Sequence, residues 1–254
     1  MGMKQGKDIS LVMEEFENNY FKMTAQTHPD TLPFFEELAV NNNREWFSSN
    51  KLRWDAIREA FLGFTQALID AMAPDDPAVA HLSARQCVYR IHRDLRFTQD
   101  KRPYKTHIAC FLPYGGDRTQ CVPGYYLQLG QGDYGLAGGC SLGGGIFMPS
   151  PKQLAAIRQE IFYCTDEFKA ILNASSYKRY YGSSFFTIKK LSRPPKGYAA
   201  DWPDIDLLKY CDYCCMYHAP IKDVLSDAFA DEVVRLWKAA LPLNHFIGRA
   251  LDLV

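Results

Sequence analysis

CVYRIHRDLRFTQDKRPYKTHIACFL, running from Cys87 to Leu112, is where the chain changes period. Upstream of it, from Arg44 to Ala73, apolar residues recur every three or four positions: Trp46, Phe47, Trp54, Ile57, Phe61, Phe64, Leu68 and Met72. That spacing predicts a long amphipathic helix, broken near Asn50, with its aromatic stripe in the core. PDDP closes it. Within the quoted stretch the period falls to two. Cys87, Tyr89 and Ile91 alternate with Val88, Arg90 and His92, which predicts a half-buried strand. His107–Leu112 reads as a second strand and Gly124–Leu129 as a third, and DYGLAGGC and GGGIFM supply two more. Five successive strands with short turns predict an antiparallel sheet. With helices on either side in sequence, the class is α+β, mainly antiparallel sheet packed with helices, in a single domain.

Working outward, residues 1–28 read as an N-terminal extension and 29–254 as the domain. The extension holds one amphipathic piece, ISLVMEEFENNYFKM, striped by Leu11, Val12, Phe16 and Tyr20. Thr31 is placed to cap a helix through LPFFEELAV, and Asn41-Asn42-Asn43 to end it and cap the next. Ser150-Pro151 starts another helix, which DEFKAILN extends or follows. SFFTIKKL and CCMYHAPI read as strands. Ser226 caps a final helix through Ala240, which Pro242 interrupts.

Lys+Arg and Asp+Glu are both 29, so no global field favours nucleic acid or anionic lipid. No apolar run reaches the roughly 18 residues of a membrane span. MGMKQGKDIS lacks the apolar core of an export signal, so the eight cysteines are expected as reduced thiols in a cytoplasm. There is no GK[ST] loop, no GxGxxG opening a helix, no GxSxG and no HExxH, so no cofactor is expected. Cys211, Cys214, Cys215 and His218 give one C-x2-C beside a histidine. A second knuckle is missing, and Cys214 and Cys215 point to opposite faces of a strand, so no metal site is expected. GLAGGCSLGGG, Gly135–Gly145, marks either tight curvature or a ligand lying across the sheet.

The charge is concentrated in the opening stretch. Tyr89–Ile108 carries six Lys/Arg against two Asp, with His92 and His107 beside them. Alternation puts Arg90, His92 and Asp94 on one face and Tyr89, Ile91 and Arg93 on the other. Guanidinium forks suit phosphate or carboxylate. Arg90, Arg93, Arg96, Lys101, Tyr104 and Lys105 are therefore the candidate ligand-binding residues, and His92 or Asp94 the candidate for proton transfer. Two Asp leave about four cations unneutralised. One reading is a site that binds, or also transforms, an anionic or phosphorylated small molecule. The other is a non-enzymatic interaction or structural module using the same basic surface, with Arg–Asp pairs stapling a solvated hairpin. Neutral net charge and the lack of a base-stacking signature weigh against nucleic acid. Neither a reaction nor an oligomeric state is written in these residues.

NNNREWFSSNK (Asn41–Lys51), YRIHRDLRFTQDKRPYKTHI, PGYYLQL (Pro123–Leu129), GGGIFMPSP (Gly143–Pro151) and RPPKGY (Arg193–Tyr198) follow one another in this order. Together they resemble the bacterial and fungal family named domain of unknown function 2461, from about Thr31 to the C-terminus. The resemblance implies one α+β domain in an intracellular, bacterial setting, and it carries over no catalytic residues. Arg102 stands where the resemblance leads one to expect Thr in DKTPYKT. The cysteines at 211–215 lie outside the pattern.

Overall fold

The computed structural model describes residues 26–96, 99–132, 136 and 138–254. The amphipathic piece expected before Met23 lies outside them. Helix α1 is Thr31–Val40. Its N-cap is Asp30 rather than Thr31, because the Thr31 hydroxyl turns back onto the His28 carbonyl at 2.7 Å. Asn43 caps α2 (Arg44–Ser49) by accepting from the Trp46 amide at 2.8 Å. The break expected near Asn50 is present, and α3 runs Lys51–Met72 with Trp54, Ile57, Phe61, Phe64, Leu68 and Met72 all buried.

Four antiparallel strands form the sheet in the order β1-β2-β3-β4: β1 His107–Pro113, β2 Gly124–Gly130, β3 Gly139–Ile146 and β4 Tyr213–Ala219. Along β2 and β3 every residue except Tyr126 and Gly139 is buried. Successive strand residues face opposite ways, so both sheet faces are covered. The two expected strands meet in one, β3, which takes in Gly139-Cys140 of DYGLAGGC and Gly143–Ile146 of GGGIFM; residues 133–135 and 137 lie outside the described residues.

The strand expected at Cys87–Ile91 is not a continuous ladder. Ala84–Cys87 is a single helical turn (α4), closed by a Ser83–Gln86 capping box. Val88 and His92 then make isolated bridges to Cys110 and Tyr104. From bridge to bridge the outgoing arm advances four residues (88 to 92) and the return arm six (104 to 110). The return arm thus carries two extra residues, and a bulge of that kind interrupts ladder bonding. The Thr106 carbonyl there accepts from Gln131 at 2.8 Å. SFFTIKKL likewise forms no continuous ladder: Phe186 bridges Cys214 of β4, and Lys190 bridges Tyr210 just ahead of it.

Helices α5 (Pro151–Tyr163), α6 (Thr165–Asn173) and α7 (Ser175–Tyr181) follow β3, and a short α8 (Ile221–Val224) follows β4. The last helix, α9, spans Phe229–Ala250 and passes straight through Pro242. An internal proline costs about 3 kcal/mol. Here the apolar stripe continues on both sides of it, through Val233, Leu236, Trp237 and Ala240 to Leu243, Phe246 and Ile247, all buried. That packing offsets the cost, and the expected stop at Ala240 does not occur.

What lies across the glycine-rich strand is α9. A Cβ on Gly144 would come within 3.0 Å of the Ala240 methyl, and Gly145 adopts φ +110°, a region that favours glycine. The buried Asn244 accepts from the Gly145 amide at 2.7 Å and donates to the Gly124 carbonyl at 3.1 Å. Glycine thus brings helix and sheet close enough for one side chain to stitch them.

A second stitch is Asp76, fully buried just after α3. Its Oδ2 accepts from the Tyr114 and Tyr125 hydroxyls, both at 2.6 Å, and its Oδ1 lies 3.3 Å from His245 Nε2 on α9. Burial, first of all, raises the pKa of both tyrosines, so they remain neutral donors. One carboxylate joins the end of α3, the β1 and β2 strands and α9. The eight cysteines are free thiols. Among the described residues no helix is long and apolar enough to cross a membrane.

Candidate functional site

The basic stretch is a hairpin packed on the outer edge of β1, opposite the edge that pairs with β2. Backbone bonds tie its arms: Tyr89 N to Ala109 O at 2.9 Å, Lys105 N to Ile91 O at 2.8 Å and Arg93 N to Pro103 O at 3.0 Å. The alternation expected from the sequence holds. Arg90, His92 and Asp94 are exposed, while Tyr89, Ile91 and Arg93 are partly or fully buried.

The tip is held from outside by NNNREWF. The Asn42 side chain accepts from the Tyr104 amide at 3.1 Å and donates to the Tyr104 carbonyl at 2.9 Å. Phe47 stacks on the Tyr104 ring at 4.0 Å between centroids. Tyr104 is consequently buried. Two motifs about fifty residues apart in sequence thus form one structural unit.

The charges sort themselves within the hairpin. Arg93 Nη1 donates to Asp100 Oδ2 at 2.5 Å, and Arg102 Nη2 donates to the same oxygen at 2.7 Å. Arg96 grips Asp94 through Nε at 3.0 Å and Nη2 at 2.6 Å, and its backbone amide adds a bond at 3.1 Å. Hydrogen bonding from Arg96 holds the Asp94 carboxyl well below its ordinary range, and Arg102 followed by Arg93 does the same for Asp100. Both acids are ionised at neutral pH and occupied. Arg93 and Arg96 thus meet aspartates of their own hairpin.

The other cations differ. Lys101 donates to the Leu95 carbonyl at 3.1 Å and forms no ion pair among the described residues, and neither does Arg90. Lys105 Nζ lies 4.9 Å from the centroid of the Tyr89 ring. His92 faces Tyr104 across the hairpin, with ring centroids 5.3 Å apart. His107, buried in β1, pairs instead with Gly130. The two histidines therefore do not face one another.

One residue of this surface was hidden in the sequence. Arg118, in the loop between β1 and β2, donates to the Val88 carbonyl and lies 5.2 Å from the Tyr89 ring centroid. Its setting, YGGDRTQ, reads only as a turn. Cys214 and Cys215 are buried in β4, Cys215 Sγ lies 3.5 Å from the Gly144 carbonyl, and His218 Nδ1 lies 2.9 Å from the Ser141 hydroxyl. No three His, Cys, Asp or Glu converge among the described residues. Of the sheet tyrosines, Tyr125 ends on Asp76 and Tyr126 on the Gln128 side chain at 2.6 Å. A cavity of about 220 Å³ lies at the far edge of the sheet, lined by Tyr217, Asp223, Ser226, Phe229 and Glu232.

Comparison with known proteins places the chain in a family. Residues 30–246 match the family described as conserved hypothetical protein (DUF2461), and the chain belongs to it. No curated protein and no solved structure matches.

Proposed function

We propose that this member of the DUF2461 family binds an anionic, phosphorylated small molecule at the basic hairpin. One observation carries the reading: both hairpin carboxylates are already taken by Arg93, Arg96 and Arg102, while Arg90 and Lys101 form no ion pair among the described residues. Six cations on two carboxylates leave a formal surplus of four. The paired arginines are also fixed in orientation, which lowers the entropy lost when an anion docks on their remaining N–H groups. Lys105 adds a charge beside Tyr89, and the buried Tyr104 anchors the tip. For a reaction on the bound anion, His92 shares the exposed face with Arg90 and is the group suited to move a proton. Asp94, held ionised by Arg96, would orient that arginine and makes the weaker proton carrier near neutral pH.

The exposure of Arg90 and Lys101 favours a second reading, a non-enzymatic module that docks an acidic protein surface. Titration with inorganic phosphate and with sulfate at fixed ionic strength tests the first. The R90Q/K101Q variant should bind each at least about tenfold more weakly, since charge-assisted hydrogen bonds contribute about 1.5–3 kcal/mol each. Equal affinity in variant and wild type would sink the anion reading and leave the docking surface.

A further inference from the structure

We infer that the hairpin's ligand carries more than one phosphate group, and that Arg118 with Lys105 holds the second. The inference rests on the anion-binding reading and deepens it. Its basis is the distribution of positive charge along the outgoing arm.

At the tip, Arg93 and Arg102 converge on Asp100, with Lys101 beside them. At the base, Lys105 Nζ and the Arg118 guanidinium both lie within 5.2 Å of the Tyr89 ring centroid. Tyr89 and Arg93 are four positions apart, which is ~13 Å at ~3.3 Å per extended residue. Arg90 lies between Tyr89 and Arg93 in sequence, on the opposite, exposed face of the arm. A single phosphate is too small to engage both poles, whereas a chain of phosphates, bridged by flexible side chains, reaches from one to the other.

Arg118 is prepared for that role. Its donation to the Val88 carbonyl fixes the guanidinium at the edge of the arm. A guanidinium has five N–H donors, so this bond leaves others to offer. The adjacent acid does not neutralise it: Asp117 Oδ1 accepts from the Thr119 amide at 2.9 Å and the Thr119 hydroxyl at 2.6 Å. Arg118 forms no ion pair among the described residues. Covering the sheet edge needs only the one bond to Val88. A permanent charge at that place, on the same ring as a second cation, is what a multiply charged anion would require.

Orthophosphate and linear tripolyphosphate, titrated at matched ionic strength, separate this inference from its premise. Wild type should prefer tripolyphosphate at least tenfold. R118Q should lose most of that preference while binding orthophosphate as before, and R90Q should weaken both. K152Q, which removes an exposed cation on α5, should change neither. K105Q supplies the same reading should R118Q fail to fold by circular dichroism. A preference that survives both R118Q and K105Q overturns the inference and leaves the anion site standing. Indifference of both probes to R90Q overturns the site itself. Competition by a single-stranded oligonucleotide that outstrips tripolyphosphate, with a steep salt dependence, would overturn the small-molecule assignment in favour of nucleic acid.

Discussion

Asp100 sits at the tip of the basic hairpin with two guanidiniums on one oxygen, about a third exposed to water. Asp76 is sealed between α3, β1, β2 and α9, with two tyrosine hydroxyls on one oxygen and His245 near the other. The same group serves two ends. In water the pairs gain little, since desolvation is small and solvent screens them, so Asp100 chiefly organises charge at a surface. In the core the two hydroxyls share one buried acceptor, so Asp76 organises the fold. The difference separates residues that shape a ligand surface from residues that hold the scaffold beneath it.

The largest effect expected from this contrast is on D76A. Removing the buried carboxylate takes away the acceptor that the Tyr114 and Tyr125 hydroxyls share, at about 1–3 kcal/mol for each group left unsatisfied. A loss of about 2–6 kcal/mol in urea unfolding is expected, large against the roughly 5–15 kcal/mol that holds a typical domain together. A loss under about 1 kcal/mol would mean that water replaces the carboxylate and that the contrast between the two aspartates is false.

The two centres also differ in how far the sequence announces them. The hairpin was legible because its charges are neighbours in sequence and its alternation puts Arg90, His92 and Asp94 together without any tertiary contact. The Asp76 network was not. Its partners stand 38, 49 and 169 residues away, and PDDP reads only as a helix stop. The α+β class, the α2–α3 break at Asn50 and β1, β2 and β4 followed from periodicity. Pro242 misled because local propensity at one residue lost to an apolar stripe sustained on both sides of it. The segment after Cys87 misled for a related reason: alternation fixes which way side chains point, not whether the backbone keeps register, and the bulge in the return arm breaks the ladder. Arg118 was missed because only folding carries the β1–β2 loop back to Val88.

Asn42 joins the two settings, since it is a scaffold residue whose bonds end on the hairpin. N42A loses both bonds to the Tyr104 backbone. A destabilisation of about 1–2 kcal/mol is expected from these partly buried groups. Hydrogen exchange at the Tyr104 amide should accelerate more than exchange along β2, and anion affinity should fall with it because the tip is no longer fixed. Uniform acceleration across the sheet would argue instead that Asn42 supports the whole fold, and would blur the boundary drawn between hairpin and scaffold.

The smallest effect on stability, and the sharpest on titration, belongs to Asp94 and Asp100. Arg96 holds the first and Arg102 with Arg93 the second, both below the ordinary aspartate value of 3.8. A depressed folded pKa means that the unfolded chain takes up protons first. Whatever stability these pairs contribute is therefore complete above the unfolded value, and it is lost as pH falls through the folded one. Because both groups are exposed, that contribution is small, and added salt should reduce it further. Carboxyl carbon shifts followed by NMR should show both midpoints displaced below 3.8, and R96Q should return Asp94 alone towards that value. Midpoints at the ordinary value in wild type would mean that the arginines swing free in solution. The hairpin would then be six mobile charges rather than an arranged surface, and its contrast with Asp76 would be one of order as well as burial.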